Sequence, residues 1–106
     1  MRMWKVDVTK MCRRHLLGEH NEMHMFAGTI LKKRCRNFVK SRFVLEGLVD
    51  TSCIRERHDE LAVEMLRRGY KHKTPFPDGV VVQAVNYLDI AKNEEELQRR
   101  CKECKF

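Results

Sequence analysis

Between residues 12 and 30 the apolar positions recur at helical spacing rather than alternating as in a strand. With about 100° per residue and Cys12 at zero, Leu16, Met23, Ala27 and Ile30 fall within about 60° of it. The pattern predicts a first helix from about Arg13 to Lys33. A lead-in, MRMWKVDVTKM, precedes it and can hold a turn capped by Asp7 or Thr9. Gly18 sits inside this helix, where it costs helicity and permits close approach of a backbone or a ligand. A second helix is expected to begin at DTS, capped by Asp50 or Thr51, and to end at RRGY. There Gly69 suits a left-handed position, and Arg67 and Arg68 complement the helix dipole. Its buried face reads as Ile54, Leu61, Ala62, Met65 and Leu66. A third helix is expected over roughly Leu88–Glu103, capped by Asp89 or Asn93, with Ile90, Leu97, Cys101 and Cys104 on one side. Both prolines fall in KHKTPFPDGVVVQ, a loop with room for a short extended piece at Val80–Val82. The expected fold is all-α: a compact single domain over residues 1–106, with three main helices joined by long loops.

Polar residues interrupt the first stripe. Glu19 lands inside it, while His15, Glu22 and Phe26 line one edge, about 40–80° to the side. Two carboxylates and an imidazole turned toward a core fit either a buried salt bridge with one of the arginines or a reaction site. His20 and His24 read as surface residues.

Charge adds a direction. Lys and Arg number 22 against 15 Asp and Glu, a net charge of +7 with a pI near 9.4, the footprint of a polyanion binder. The stretch KKRCRNFVKSRFVLEGLVD concentrates it, and Lys32, Lys33, Arg34, Arg36, Lys40 and Arg42 are positioned to track a phosphate backbone. Phe38 and Phe43 between them can wedge into a base stack or pack the core. No apolar run is long enough for a membrane span and no leader pattern opens the chain. The expected location is the cytoplasm, on DNA, with no membrane partner, and the five cysteines are expected as reduced thiols. CKEC is a lone C-x-x-C, so a zinc site at Cys101 and Cys104 needs completion by Cys12, Cys35, Cys53 or a histidine. Helix-packed thiols account for the same residues, and no metal ligand and no cofactor is assigned.

Two stretches, HLLGEHNEM (15–23) and IRERHDELAVEMLRRGYKHKTP (54–75), resemble the phage-type pyrimidine-dimer DNA glycosylase/AP lyase family. The first carries the family's His-x-x-x-Glu-x-x-Glu spacing, the second its helix and following turn, and a weaker likeness continues through DIAKNEEELQRR. The resemblance implies an all-α protein that flips a nucleotide from damaged double-stranded DNA and attacks deoxyribose C1′ with its N-terminal amine, assisted by a glutamate. It places the glutamate at Glu22, the helix histidine at His15, the accompanying glutamate at Glu19 and the near-terminal arginine at Arg2. The amine falls on Met1. Arg2 is too bulky for ordinary methionine removal, so a retained, deformylated Met1 would supply it. Asn21 stands where the family has an arginine beside its glutamate, and Lys92 falls near a phosphate-contacting base.

An α-amine loses its proton far more readily than a lysine amine, which makes it a usable nucleophile near neutrality. A carboxylate at the stripe edge can stabilise positive charge on the sugar and then move protons for β-elimination. The lesion stays open between a pyrimidine dimer, another damaged or modified base, and abasic sites. The chain is expected to act as a monomer. Two rival readings are a non-catalytic basic DNA-binding protein on the same scaffold and a small zinc-binding module built on the C-x-x-C.

Overall fold

Arg13–Lys33 forms one helix, α1, in the computed structural model, which describes residues 1–33, 41–72, 74–80 and 87–106. A one-turn helix, α2 (Arg42–Leu45), and a 3-10 turn, Thr51–Cys53, lead into α3 (Ile54–Arg67), and α4 (Ile90–Arg100) follows. A second 3-10 turn, Val8–Lys10, lies in the lead-in. Among the described residues there is no strand, and no helix is long and apolar enough to cross a membrane.

Aspartates start the two 3-10 turns and α4. Asp7 accepts from the Thr9 N–H at 2.9 Å, Asp50 from Ser52 at 3.0 Å and Asp89 from Lys92 at 3.1 Å, each satisfying an amide that the helix itself cannot. α3 stops as its sequence predicts. Gly69 takes φ +83°, and the Tyr70 N–H turns back to the Met65 carbonyl at 2.9 Å, closing the last turn.

The apolar stripe of α1 (Leu16, Met23, Phe26, Ala27, Ile30) is buried along α3, which contributes Ile54, Leu61 and Met65, while α4 adds Leu97. The lead-in proves to be a core element. Met3, Trp4, Val6 and Met11 are all buried while Asp7, Thr9 and Lys10 stay exposed, so residues 1–11 form an arm that sends its apolar side chains into the packed interior. An irregular segment can lie there only if its amides and carbonyls find partners, and charged side chains supply them.

Several expectations change. Leu66 is 58% exposed because it lies about 120° around α3 from Ile54, outside the buried stripe. Ile90 is 41% exposed at the first position of α4. That helix ends at Arg100, three residues early, when Cys101 turns to extended geometry (φ −139°, ψ 122°). Gln98 holds the following bend, donating to the Cys104 carbonyl at 2.9 Å and accepting from the Phe106 N–H at 3.2 Å. Among the described residues nothing lies within 4 Å of where a Gly18 side-chain carbon would stand, so none of their backbone approaches there. Phe43 packs edge-on against Phe26, with ring centroids 5.4 Å apart. Val80 is described but forms no strand, and residues 81–82 lie outside the described residues, as does Phe38.

Candidate active site

The arm is fixed before anything else in the site. Glu19 and Arg57 form a buried bidentate pair, Nε to Oε2 at 2.6 Å and Nη2 to Oε1 at 2.8 Å, with side chains 0% and 2% exposed. Burial works against the Arg57 charge, but the hydrogen bonds and charge of Glu19 outweigh it and raise the guanidinium's pKa. Each partner then reaches the arm. Glu19 Oε2 accepts from the Trp4 and Lys5 amides at 3.2 and 3.4 Å, and Arg57 Nη1 donates to the Val6 carbonyl at 2.9 Å. Lys5 sits at φ +55°, a left-handed kink that follows directly on these two amides. Arg68, in the RRGY turn, donates to the Val8 and Met11 carbonyls at 3.0 and 2.7 Å. Glu19 is buried and engaged with Arg57 and the arm, the buried salt bridge that its place inside the apolar stripe allowed, and it makes no opening to a DNA ligand.

This anchoring delivers Met1 and Arg2 to Glu22, one turn along α1. The Arg2 N–H donates to Glu22 Oε2 at 3.3 Å. Glu22 is partly buried and its pKa is raised by desolvation; the Arg2 amide and the positive charge of the Met1 amine oppose that rise. The Arg2 side chain turns the other way, stacking over Trp4 at 4.0 Å and donating to Asn93 Oδ1 at 2.6 Å. Asn93 is held in turn by the Trp4 carbonyl, 2.8 Å from its Nδ2. Met1, Arg2, Trp4, Glu22 and Arg100 line one open cleft of about 360 Å³, within the size range of small-ligand sites. A nucleophilic amine, a carboxylate with a raised pKa and a cationic rim thus share one concavity. That set can attack an electrophilic carbon, stabilise the cation that results and move protons around it.

The remaining predicted residues divide. Lys92 is exposed on α4 and lines an adjoining depression with Arg2, Asn93, Glu96 and Arg99. Asn21, Lys32 and Arg42 are exposed. Lys33 is the last residue of α1, and Arg34, Arg36 and Lys40 lie outside the described residues. Arg99 and Arg100 went unnoticed in the sequence, although their position beyond an amphipathic stretch places them beside Arg2 once α4 packs. Arg57 also went unnoticed, because one arginine on a helix carries no sign of burial.

Two further clusters assemble from distant residues. His15 lines the cleft, yet its Nδ1 faces sulfur, 3.1 Å from Cys12 Sγ and 3.7 Å from Cys104 Sγ. Cys12 Sγ lies 3.7 Å from Cys101 Sγ. These four residues could hold a metal ion, since their ligand atoms lie within 4.8 Å of one another. So could His20, His24, His58 and His72, from α1, α3 and the loop after α3. His20 and His24 are partly buried rather than surface residues, because α3 and the His72 loop cover that side of α1. Burial first, then mutual repulsion, lowers the His20 pKa to about 4 and lowers that of His24. The four-residue spacing of His20 and His24 on one helix is a weak metal-ligand signal, but nothing in the sequence marks His58 and His72 as joining them.

Comparison with protein families gives one match: the family described as pyrimidine dimer DNA glycosylase, over residues 1–78. No curated protein and no solved structure matches the chain.

Proposed function

We propose, from the premise that the chain belongs to the pyrimidine dimer DNA glycosylase family, that it couples base release to AP-lyase strand cleavage through its N-terminal amine. The single observation that carries this reading is that Met1 and Glu22 line one cleft, close enough for the charge of the amine to act on the carboxylate. The lone pair of the amine attacks deoxyribose C1′, the C1′–N bond breaks, and the base leaves with a proton. Opening of the sugar ring gives an imine between Met1 and C1′. Glu22 stabilises positive charge on the sugar and then accepts a C2′ proton as the C3′–O bond breaks and the 3′ phosphate departs. The substrate is double-stranded DNA carrying a pyrimidine dimer or another damaged or modified base. Arg2, Arg99, Arg100 and Lys92 line the cleft and its neighbouring depression, where phosphates of a flipped nucleotide would lie. Asn21, Lys32 and Arg42 extend the contact surface on the exposed faces of α1 and α2, and Lys33, Arg34, Arg36 and Lys40 are assigned to DNA from their charge in the sequence alone.

Borohydride trapping tests the mechanism. Reduction during reaction with abasic-site DNA should yield a covalent adduct that maps to the N-terminal peptide. Residues added ahead of Met1, or acetylation of its amine, should abolish trapping and strand cleavage together, because an amide nitrogen is not nucleophilic. An adduct on Lys5 or Lys92, or trapping by an N-terminally blocked protein, refutes it.

A further inference from the structure

We infer that Cys12, His15, Cys101 and Cys104 bind a zinc ion that clasps the two ends of the chain, and that His20, His24, His58 and His72 bind a second. Neither site depends on the glycosylase reading.

The clasp rests on spacing, geometry and burial together. The ligands form two short pairs, C-x-x-H at the start of α1 and C-x-x-C after α4, the grouping of structural zinc sites. Tetrahedral zinc, with Zn–S of about 2.3 Å and Zn–N of about 2.0–2.1 Å, places sulfurs about 3.8 Å apart and sulfur about 3.6 Å from nitrogen. The observed separations are 3.7 Å between Cys12 and Cys101, and 3.1 and 3.7 Å from His15 Nδ1 to Cys12 and Cys104. All three cysteines are buried, which suits a closed site with four protein ligands. Outer hydrogen bonds are in place as well. The Cys12 N–H donates to Cys104 Sγ at 3.3 Å, and the backbone of Glu103 and Cys104 hydrogen-bonds Cys101. Three thiolates and one zinc ion leave a net negative charge, and two cations, Arg14 and Arg100, act on His15 against one anion, Glu103. A disulfide between any two cysteines would leave the third thiol and the aimed imidazole unexplained, and an iron–sulfur cluster of the usual kind takes four cysteines.

The clasp has a mechanical consequence. It joins the root of the N-terminal arm to the C-terminal bend, where the Lys105 N–H also donates to the Lys10 carbonyl at 2.9 Å. Cys101 and Cys104 lie beyond residues 1–78, the stretch matched by the family.

The histidine site is carried by a different observation. His58 Nδ1 is held by Asp59 Oδ1 at 2.8 Å, and the backbone of Thr74 hydrogen-bonds the His24 ring. The Nε2 atoms of these two rings face each other at 3.0 Å, while Nε2 of His20 and of His72 is buried without a hydrogen-bond partner among the described residues. Two orphaned nitrogens in a four-imidazole cluster are costly unless something accepts their lone pairs. A metal ion accepts all four, and a carboxylate on the far nitrogen of a ligating histidine is the usual orienting partner. An all-imidazole set suits zinc.

One pair of measurements decides both sites. Full-length protein, purified under reducing conditions and dialysed, should retain two equivalents of zinc by elemental mass spectrometry. Its cobalt(II)-substituted form should show a thiolate-to-cobalt charge-transfer band. His72→Gln should lose one equivalent and keep the band. Cys104→Ser should lose the band, whereas Cys53→Ser, whose thiol lies against Met3 outside the cluster, should keep it. If Cys104→Ser fails to fold, the wild-type cobalt spectrum decides alone. Absence of the band from wild-type protein overturns the clasp. A single zinc that persists in His72→Gln overturns the histidine site, and no retained zinc overturns both.

Discussion

Removing one partner from the Glu19–Arg57 pair tests whether the arm is held as described. In Arg57→Met the side-chain volume is roughly kept, but Glu19 remains buried with only the Trp4 and Lys5 amides at 3.2 and 3.4 Å. The Val6 carbonyl loses its 2.9 Å donor. Leaving a buried charge without its partner costs about 3–5 kcal/mol, a large part of the roughly 5–15 kcal/mol that stabilises an ordinary domain. Urea denaturation should register that loss as a lower midpoint at unchanged slope. Glu19→Gln/Arg57→Met should fall short of the summed single losses by about 0.5–3 kcal/mol, because the second substitution removes the orphan that the first creates. Under conditions where Arg57→Met is still folded, borohydride trapping should slow because Met1 is no longer held beside Glu22. A loss below about 1 kcal/mol for Arg57→Met, or strict additivity in the double variant, would show that the pair does not secure the arm.

Other changes probe separate links. Glu22→Gln should leave DNA affinity nearly unchanged while lowering base release by orders of magnitude, since it removes proton transfer and charge stabilisation together; full glycosylase activity in that variant would reject the role of Glu22. Hydrogen bonds from Arg67, opposed by burial and joined by those from Arg68, hold the Glu64 pKa at about 2, below its ordinary 4.5. A lowered carboxyl pKa contributes stability that is present above about 4.5 and is lost as pH falls toward about 2. Glu64→Gln should therefore flatten the acid limb of the urea midpoint plotted against pH, and an unchanged limb would place the acid sensitivity elsewhere. Gly18→Ala should raise stability by about 0.5–1 kcal/mol, since the position is helical and open; a destabilised variant would mean that the small residue is needed there.

Local physics made the helices legible. The 3.6-residue period placed α1 at Arg13–Lys33, and the aspartate caps with the RRGY turn bounded α3, because those signals lie within a few residues of the structure they specify. Glu22 and Glu19 were visible as acids on or beside an apolar stripe, and the family likeness in HLLGEHNEM assigned them roles that periodicity alone left open. Tertiary structure decided which partner each residue meets. It put the lead-in inside the core, gave Glu19 to Arg57 across 38 positions, and turned Cys101 and Cys104 out of helical geometry to meet Cys12 and His15. It also drew His20 and His24 under α3 against His58 and His72. A helical pattern reports only which side of a helix is buried. The neighbour waiting on that side is set by packing between segments far apart in sequence, and that packing left α1 with Met1 and Glu22 lining one cleft, sulfur at His15 and three imidazoles around His20.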